Sequence, residues 1–237
     1  LVHTFTTDEP FIKPAIFRDR NYTVGMIVIF VFGMLNFVPM VLFPPLLQEL
    51  RGFPQSVTGL LLGARGAGTL TGFLIMAFVT QVNPRIPVFL GFALQAFSGF
   101  VIAGFSINLT SFDVAWTSYM QGFGVGLVWV PLNVLAFSTL KQVYVPDAAA
   151  ILHLIRNMGS SVFISICIIT IMRSAKMTYA GLTETVSHYN KLFDIPFLMG
   201  AWSMDSNAGI GAFAREIERQ SMMNGYISAF YLFSLTA

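Results

Sequence analysis

The chain has 237 residues, 55% of them hydrophobic and only 10% charged, with a net charge of +2. A soluble domain carries roughly a quarter of its residues as charges, so this content and a mean hydropathy of +0.72 exclude an ordinary soluble fold. The small net charge, without a basic cluster, excludes nucleic acid as a partner, and the single cysteine, Cys167, excludes a disulfide framework.

Residues 1–21 form a mixed polar segment, expected in the cytoplasm, with Lys13, Arg18 and Arg20 before the first apolar run. Residues 22–172 then hold five apolar runs, each about the 20 residues a helix needs to cross the hydrocarbon core. Span A is expected over 22–47, B over 57–80, C over 86–107, D over 114–140 and E over 148–172. Only eight charges interrupt this stretch: Glu49, Arg51, Arg65, Arg85, Asp113, Lys141, Asp147 and Arg156. The runs lack the alternation of barrel strands, so helices are the structure that satisfies their backbone in lipid. A long polar segment, 173–220, follows and is expected as a periplasmic loop. The alternative for its second part is an amphipathic helix from Ile210 leading into span F. Residues 221–237 read as the start of F, cut short, and Leu1 in place of a methionine suggests a cut at the other end too.

Lysine and arginine in the short loops set the orientation. Lys13, Arg18, Arg20, Arg85 and Lys141 fall on one side and Arg51 on the other, which places the start of the chain in the cytoplasm. The basic residues of 173–220 run against that bias, but long segments follow the rule less strictly.

Two charges lie inside spans. Arg65, in Leu62-Gly-Ala-Arg-Gly-Ala-Gly68, sits roughly 12 Å into span B at 1.5 Å per residue. An arginine facing lipid at the centre costs at least ~2.5 kcal/mol, so each intramembrane arginine calls for a partner or water. Arg156, followed by Asn157, lies at a similar depth in span E. Arg65, Arg156 and Asn157 are therefore candidates for a gating or pathway role, with snorkelling to an interface as the alternative for the arginines. Arg65 follows Val57 and Arg156 follows Ala148 by the same eight residues, and both spans are the middle helix of a triplet. B and E run in opposite directions, as paired inverted triplets require.

Spans A and D, the first of each triplet, are interrupted by Pro39 and Pro131. Proline in a membrane helix frees a carbonyl and often borders a cavity. Asn36, Phe37, Met40, Tyr119, Trp129 and Asn133 are accordingly candidate cavity-lining residues. Phenylalanine and methionine suit bulky apolar ligands because they repack. Gly59, Gly63, Gly68, Gly72, Gly122 and Gly126 stand at small-xxx-small spacing and are expected to pack helices closely. The string Gly122-Phe-Gly-Val-Gly126 lies inside a span with no strand before it, which rules out a nucleotide fingerprint. Spans A–E hold no aspartate or glutamate, and His153 is their one other titratable candidate for proton coupling, so a coupling carboxylate is expected elsewhere.

Several segments together resemble the C-terminal six-helix bundle of the fourteen-span drug:proton antiporters, a branch of the major facilitator superfamily, and within it the multidrug export protein B type. They are Glu9-Pro10 with Phe17-Arg-Asp-Arg-Asn-Tyr22, Gly59-Leu-Leu-Leu-Gly-Ala-Arg65-Gly-Ala-Gly68, Gly122 to Asn133, Ala148 to Ser160, and Glu218-Arg-Gln-Ser221. The resemblance covers nearly the whole chain. It implies an all-α integral membrane bundle with a 3+3 inverted repeat in the bacterial inner membrane. It also implies export of hydrophobic compounds in exchange for protons, a missing N-terminal bundle of the same chain, and often a periplasmic adaptor protein. Ala64 stands where relatives often have proline, and the B–C loop Gln81-Val-Asn-Pro-Arg85 lacks the acidic residue of the superfamily's signature.

Two other readings remain: a carrier of a small polar metabolite, which needs a buried charged site that A and D do not supply, and a non-transporting scaffold that uses 173–220 as its binding surface. An enzyme needs clustered His, Asp or Cys, whereas His3, His153, His188 and Cys167 are scattered. No metal or cofactor is expected.

Overall fold

A computed structural model describes residues 14–78, 83–185 and 207–237, and every regular element among them is helical. The six long helices are α1 (Arg20–Pro45), α2 (Gln55–Phe78), α3 (Arg85–Ala103), α4 (Ser111–Phe137), α5 (Val145–Thr185) and α6 (Asn207–Thr236). The first five are long and apolar enough to cross a membrane. The chain is thus an all-α membrane bundle. Residues 1–13, with Glu9-Pro10 of the leading segment, lie outside the described residues, as do 79–82 and 186–206.

Local chemistry places the helix ends. The Asp19 carboxylate accepts from the Tyr22 backbone N–H (3.0 Å) and opens α1 as an N-cap. The same carboxylate accepts from the Thr139 hydroxyl (2.7 Å), and the Tyr22 hydroxyl donates to the Ala148 carbonyl (2.8 Å). These bonds tie the start of α1 to the end of α4 and the start of α5. Thr110 and Asp113 form a reciprocal capping box at the start of α4. After Pro44 and Pro45, α1 passes into one π-helical turn, Leu46–Leu50, and Gly52 (φ 69°) supplies the left-handed backbone of the turn toward α2.

The expected loop over 173–220 is largely helix where it is described. α5 runs past Met172 to Thr185, and α6 begins at Asn207. At 41 residues, α5 is roughly 60 Å long, about twice the hydrocarbon thickness. No proline interrupts 173–185, and this part of α5 packs on α6. Ser174 and Ser228 hydroxyls meet at 2.8 Å, and Asn224 donates to Thr178 at 2.6 Å. Polar side chains there satisfy each other, so periodicity in hydropathy gave no sign of the continued helix. Glu216 in turn accepts from Arg219 (2.8 Å) and Gln220 (2.8 Å) along α6.

The apolar core falls into two clusters. One joins Leu35, Val38, Leu42 and Phe43 of α1 to Ile102, Val114, Phe163, Cys167, Phe230 and Phe233. The other joins Tyr22, Met26, Ile29 and Phe32 of α1 to Val125, Val128, Leu132, Ala148 and Leu152. Along α4 and α5 the change from one cluster to the other falls at Ser118 to Gln121 and at Arg156 to Ser160, and along α1 it falls between Phe32 and Leu35, just before Asn36. A polar layer therefore separates two apolar cores.

Candidate functional site

The polar layer draws at least one group from each of α1 to α5. Arg65 of α2 is 7% exposed, and its guanidinium donates to both the backbone carbonyl and the side-chain Oδ1 of Asn36 on α1, the latter at 3.1 Å. Its Nη1 is buried without a partner. Gln95 of α3 donates to the Gln121 carbonyl of α4 (3.0 Å), and Ser98 donates to the Gln95 carbonyl (2.9 Å). Ser118 Oγ, Gln95 Oε1 and both side-chain polar atoms of Gln121 are buried and unpartnered. Such groups are expensive to bury in hydrocarbon unless something else meets them.

Arg156 of α5 occupies the open end of the layer. It is half-buried, and its guanidinium carbon lies 4.9 Å from the centroid of Trp129 and 5.9 Å from that of Phe37. These are cation–π distances, each attraction about 0.5–1 kcal/mol where water still reaches it. One Nη contacts Asn157 Oδ1 at 3.4 Å, while Nε is buried without a partner. Asn133 donates to the Trp129 carbonyl (2.7 Å), and the His153 ring lies 6.0 Å from that of Trp129. Asn36 and Phe37 are consecutive on α1, so the two arginines reach the same level of that helix.

The backbone beneath the arginines repeats. A Cβ added to Gly122 of α4 would collide with the Arg65 carbonyl, and one added to Gly33 of α1 with the Arg156 carbonyl. One step along each crossing, Gly68 abuts the Tyr119 carbonyl and Gly159 the Phe30 carbonyl. Arg65, Gly68, Tyr119 and Gly122 therefore match Arg156, Gly159, Phe30 and Gly33 in spacing and in contact. Helix α2 crosses α4 as α5 crosses α1, which is the pairing an inverted repeat of two triplets produces.

Of the predicted residues, the structure brings together Asn36, Phe37, Trp129, Asn133, Arg65, Arg156 and Asn157. Met40 is 55% exposed. Tyr119 stands apart: its hydroxyl meets Thr71 at 2.9 Å, its ring stacks on Phe123 at 6.4 Å, and it borders a shallow groove with Leu74, Ile75 and Phe78. A groove of about 1010 Å³ opens elsewhere, among α1, α3 and α4 with Arg20 and Arg85 on its rim, and none of the six lining candidates borders it. Gly68, Gly72, Gly122 and Gly126 pack against facing backbone, whereas Gly59 and Gly63 meet nothing within 4 Å. Gly33, Gly159, Gln95, Ser118 and Gln121 escaped the sequence reading. Gly33 and Gly159 have no small residue at the four-residue spacing that marked the others. The glutamines and serine carry no charge to stand out within their spans.

No model of a protein family matches this chain. The multidrug export protein EmrB of Escherichia coli K12 is 27% identical over 240 residues, covering 100% of this chain and 46% of that protein. The chain is homologous to EmrB-type export proteins. The "probable multidrug resistance protein EmrY" of the same organism is 24% identical over 235 residues, covering 98% of the chain and 45% of EmrY. The colistin resistance protein EmrB of Acinetobacter baumannii is 25% identical over 198 residues, covering 80% and 37%. These relatives are named as multidrug export or drug resistance proteins, and the likeness agrees with the all-α membrane bundle. The chain spans about half the length of the curated relatives it matches. Its five long apolar helices are those of a multi-pass membrane protein.

Proposed function

We propose that this chain forms the C-terminal half of an exporter that expels hydrophobic compounds in exchange for protons by alternating access. The observation that carries the reading is the repeated crossing, in which each arginine's carbonyl sits on a glycine of the facing helix. Two matching helix pairs in one bundle are the parts that a rocking transporter reuses on either side of a central route. In this reading Arg65, Arg156 and Asn157 act at the gates. Asn36, Phe37, Trp129 and Asn133 line the route, with Met40 and Tyr119 nearer its margins. Residues 1–21 lie in the cytoplasm, and the α5–α6 extension over 173–220 lies on the periplasmic side, where an adaptor protein docks. The remaining half of the protein supplies the second bundle and the coupling carboxylate.

The test uses the full-length gene in cells lacking their own pumps. Accumulation of a fluorescent hydrophobic dye is followed before and after the proton gradient is collapsed. Low accumulation that rises on collapse supports proton-driven export. Accumulation equal to that of empty cells under both conditions, with the protein present in the membrane, overturns it.

A further inference from the structure

Far from the polar layer, the outer parts of α5 and α6 enclose a second polar site. Lys176 lies roughly 42 Å along α5 from Ala148 at 1.5 Å per residue. That length carries it beyond the hydrocarbon and into the headgroup layer on the far side. The contacts Ser174–Ser228 and Thr178–Asn224 hold α6 antiparallel to α5, so lower numbers on α6 stand farther out from the bilayer. Between the two helices opens a groove of about 380 Å³, lined by Ala175, Lys176, Tyr179, Glu218, Ser221 and Met222. A groove of this size can hold a small polar group.

Lys176 and Glu218 share this groove, yet among the described residues neither has an ion-pair partner; the neighbouring Glu216 is taken by Arg219. Ser221, one turn inward of Glu218, is 2% exposed and lines the groove with an Oγ that meets no partner. A buried hydroxyl calls for a hydrogen-bonding partner. Opposite charges held apart beside such a hydroxyl suit a zwitterion better than an ion of one sign. Below Lys176 on the same helical face, Ile169 and Met172 are exposed and apolar, and they point the groove toward the hydrocarbon.

We propose that the α5–α6 groove binds the headgroup of a zwitterionic phospholipid that ends in a primary amine. Its phosphate meets Lys176 and Ser221, its ammonium meets Glu218, and an acyl chain runs along Met172 and Ile169. The order along the helices fits, because the phosphate is held near the glycerol while the ammonium stands at the outer end, as Glu218 does relative to Lys176. An anionic phospholipid satisfies Lys176 but sets its charge against Glu218. A quaternary ammonium lacks the N–H groups that a carboxylate accepts. The site is separate from the arginines of the polar layer and does not rest on the export reading.

The full-length protein is placed in phosphatidylcholine nanodiscs with a trace of lipid probe carrying a diazirine on its acyl chain. The probe is phosphatidylethanolamine, phosphatidylcholine or phosphatidylglycerol with identical chains, and labelled peptides are mapped after illumination. The expected result is label on the α5 peptide that holds Ile169 and Met172, about ten-fold stronger from the ethanolamine probe than from the choline probe. That ratio is the size of one charge-assisted hydrogen bond. Glu218→Gln should bring it close to one, while Lys176→Gln should weaken both probes and leave their ratio in place. Equal labelling by the two probes in the unaltered protein overturns the proposal, as does a preference that survives Glu218→Gln. Stronger labelling by phosphatidylglycerol overturns it in favour of a simple cationic patch. Absence of label from this peptide, the result expected if another part of the full-length chain fills the groove, overturns it too. Loss of the label in excess glycerophosphoethanolamine, the soluble headgroup, overturns the lipid as occupant. If a variant does not fold, the comparison of probes in the unaltered protein decides alone.

Discussion

The α2–α4 and α5–α1 crossings share a backbone and differ in what their arginines do. In both, the arginine carbonyl rests on a glycine of the facing helix, and a second glycine three residues on rests on another carbonyl. Yet Arg65 turns inward to Asn36 and is 7% exposed, while Arg156 lies half-open across Trp129 and Phe37. Close approach is a property of glycine at the crossing. The fate of the side chain is set by the third helix it meets, which is α1 for Arg65 and α4 for Arg156. A duplicated frame therefore carries one structural strut and one accessible cation.

The largest effect should come from breaking the shared frame. Gly122→Val or Gly33→Val drives a side chain into a facing carbonyl that no rotamer change relieves, and either variant should lose at least ~3 kcal/mol or fail to accumulate as folded protein. Gly59→Ala or Gly63→Ala, where the space is open, should stay within about 1 kcal/mol of the parent, in the direction of helix propensity. Thermal unfolding in detergent, read by fluorescence-detected gel filtration, compares the four. Equal losses at open and crowded glycines would sink the account of the crossings.

A smaller effect separates the arginines. Arg65→Ala leaves Asn36 Oδ1 without its donor inside the layer and should cost about 1–3 kcal/mol, with loss of export. Arg156→Ala should lose export too, but with a stability change of only about 1 kcal/mol, because its attractions are to ring faces near solvent. A midpoint that falls further for Arg156→Ala than for Arg65→Ala would reverse the assignment of strut and accessible cation.

The smallest effect sharpens the contrast between core and helix ends. The hydroxyl of Thr110, together with its backbone N–H, holds the Asp113 carboxyl below its ordinary value. A lowered folded value means that the capping contribution is complete above the ordinary carboxylate range and is lost as pH falls through the folded value. The protection of first-turn amides of α4, taken relative to the intrinsic exchange rate at each pH, should therefore fall on acidification, and Asp113→Asn should remove that pH dependence while leaving the Gly122 crossing protected. A first turn whose protection shows the same pH dependence in Asp113→Asn would discount the cap.

Apolar run length alone made five membrane helices necessary, because no other arrangement of 22–172 satisfies its backbone in lipid. The depth of Arg65 and Arg156, their equal spacing from the start of B and E, and the value of Gly68, Gly72, Gly122 and Gly126 were equally legible, since they depend on position along a helix. Other features were not. The helices over 173–185 and 207–220 depend on α5 and α6 satisfying each other through Ser174, Thr178, Asn224 and Ser228, a pairing between segments that hydropathy does not record. Gly59 and Gly63 have the same spacing as Gly68 and Gly72, yet only the second pair faces α4. Sequence determined which groups lie at the middle of the membrane, because helical rise is fixed. Tertiary structure alone decided which of them meet, because the facing helix, and not the spacing, determines whether a buried charge finds an amide, an aromatic ring or an open edge.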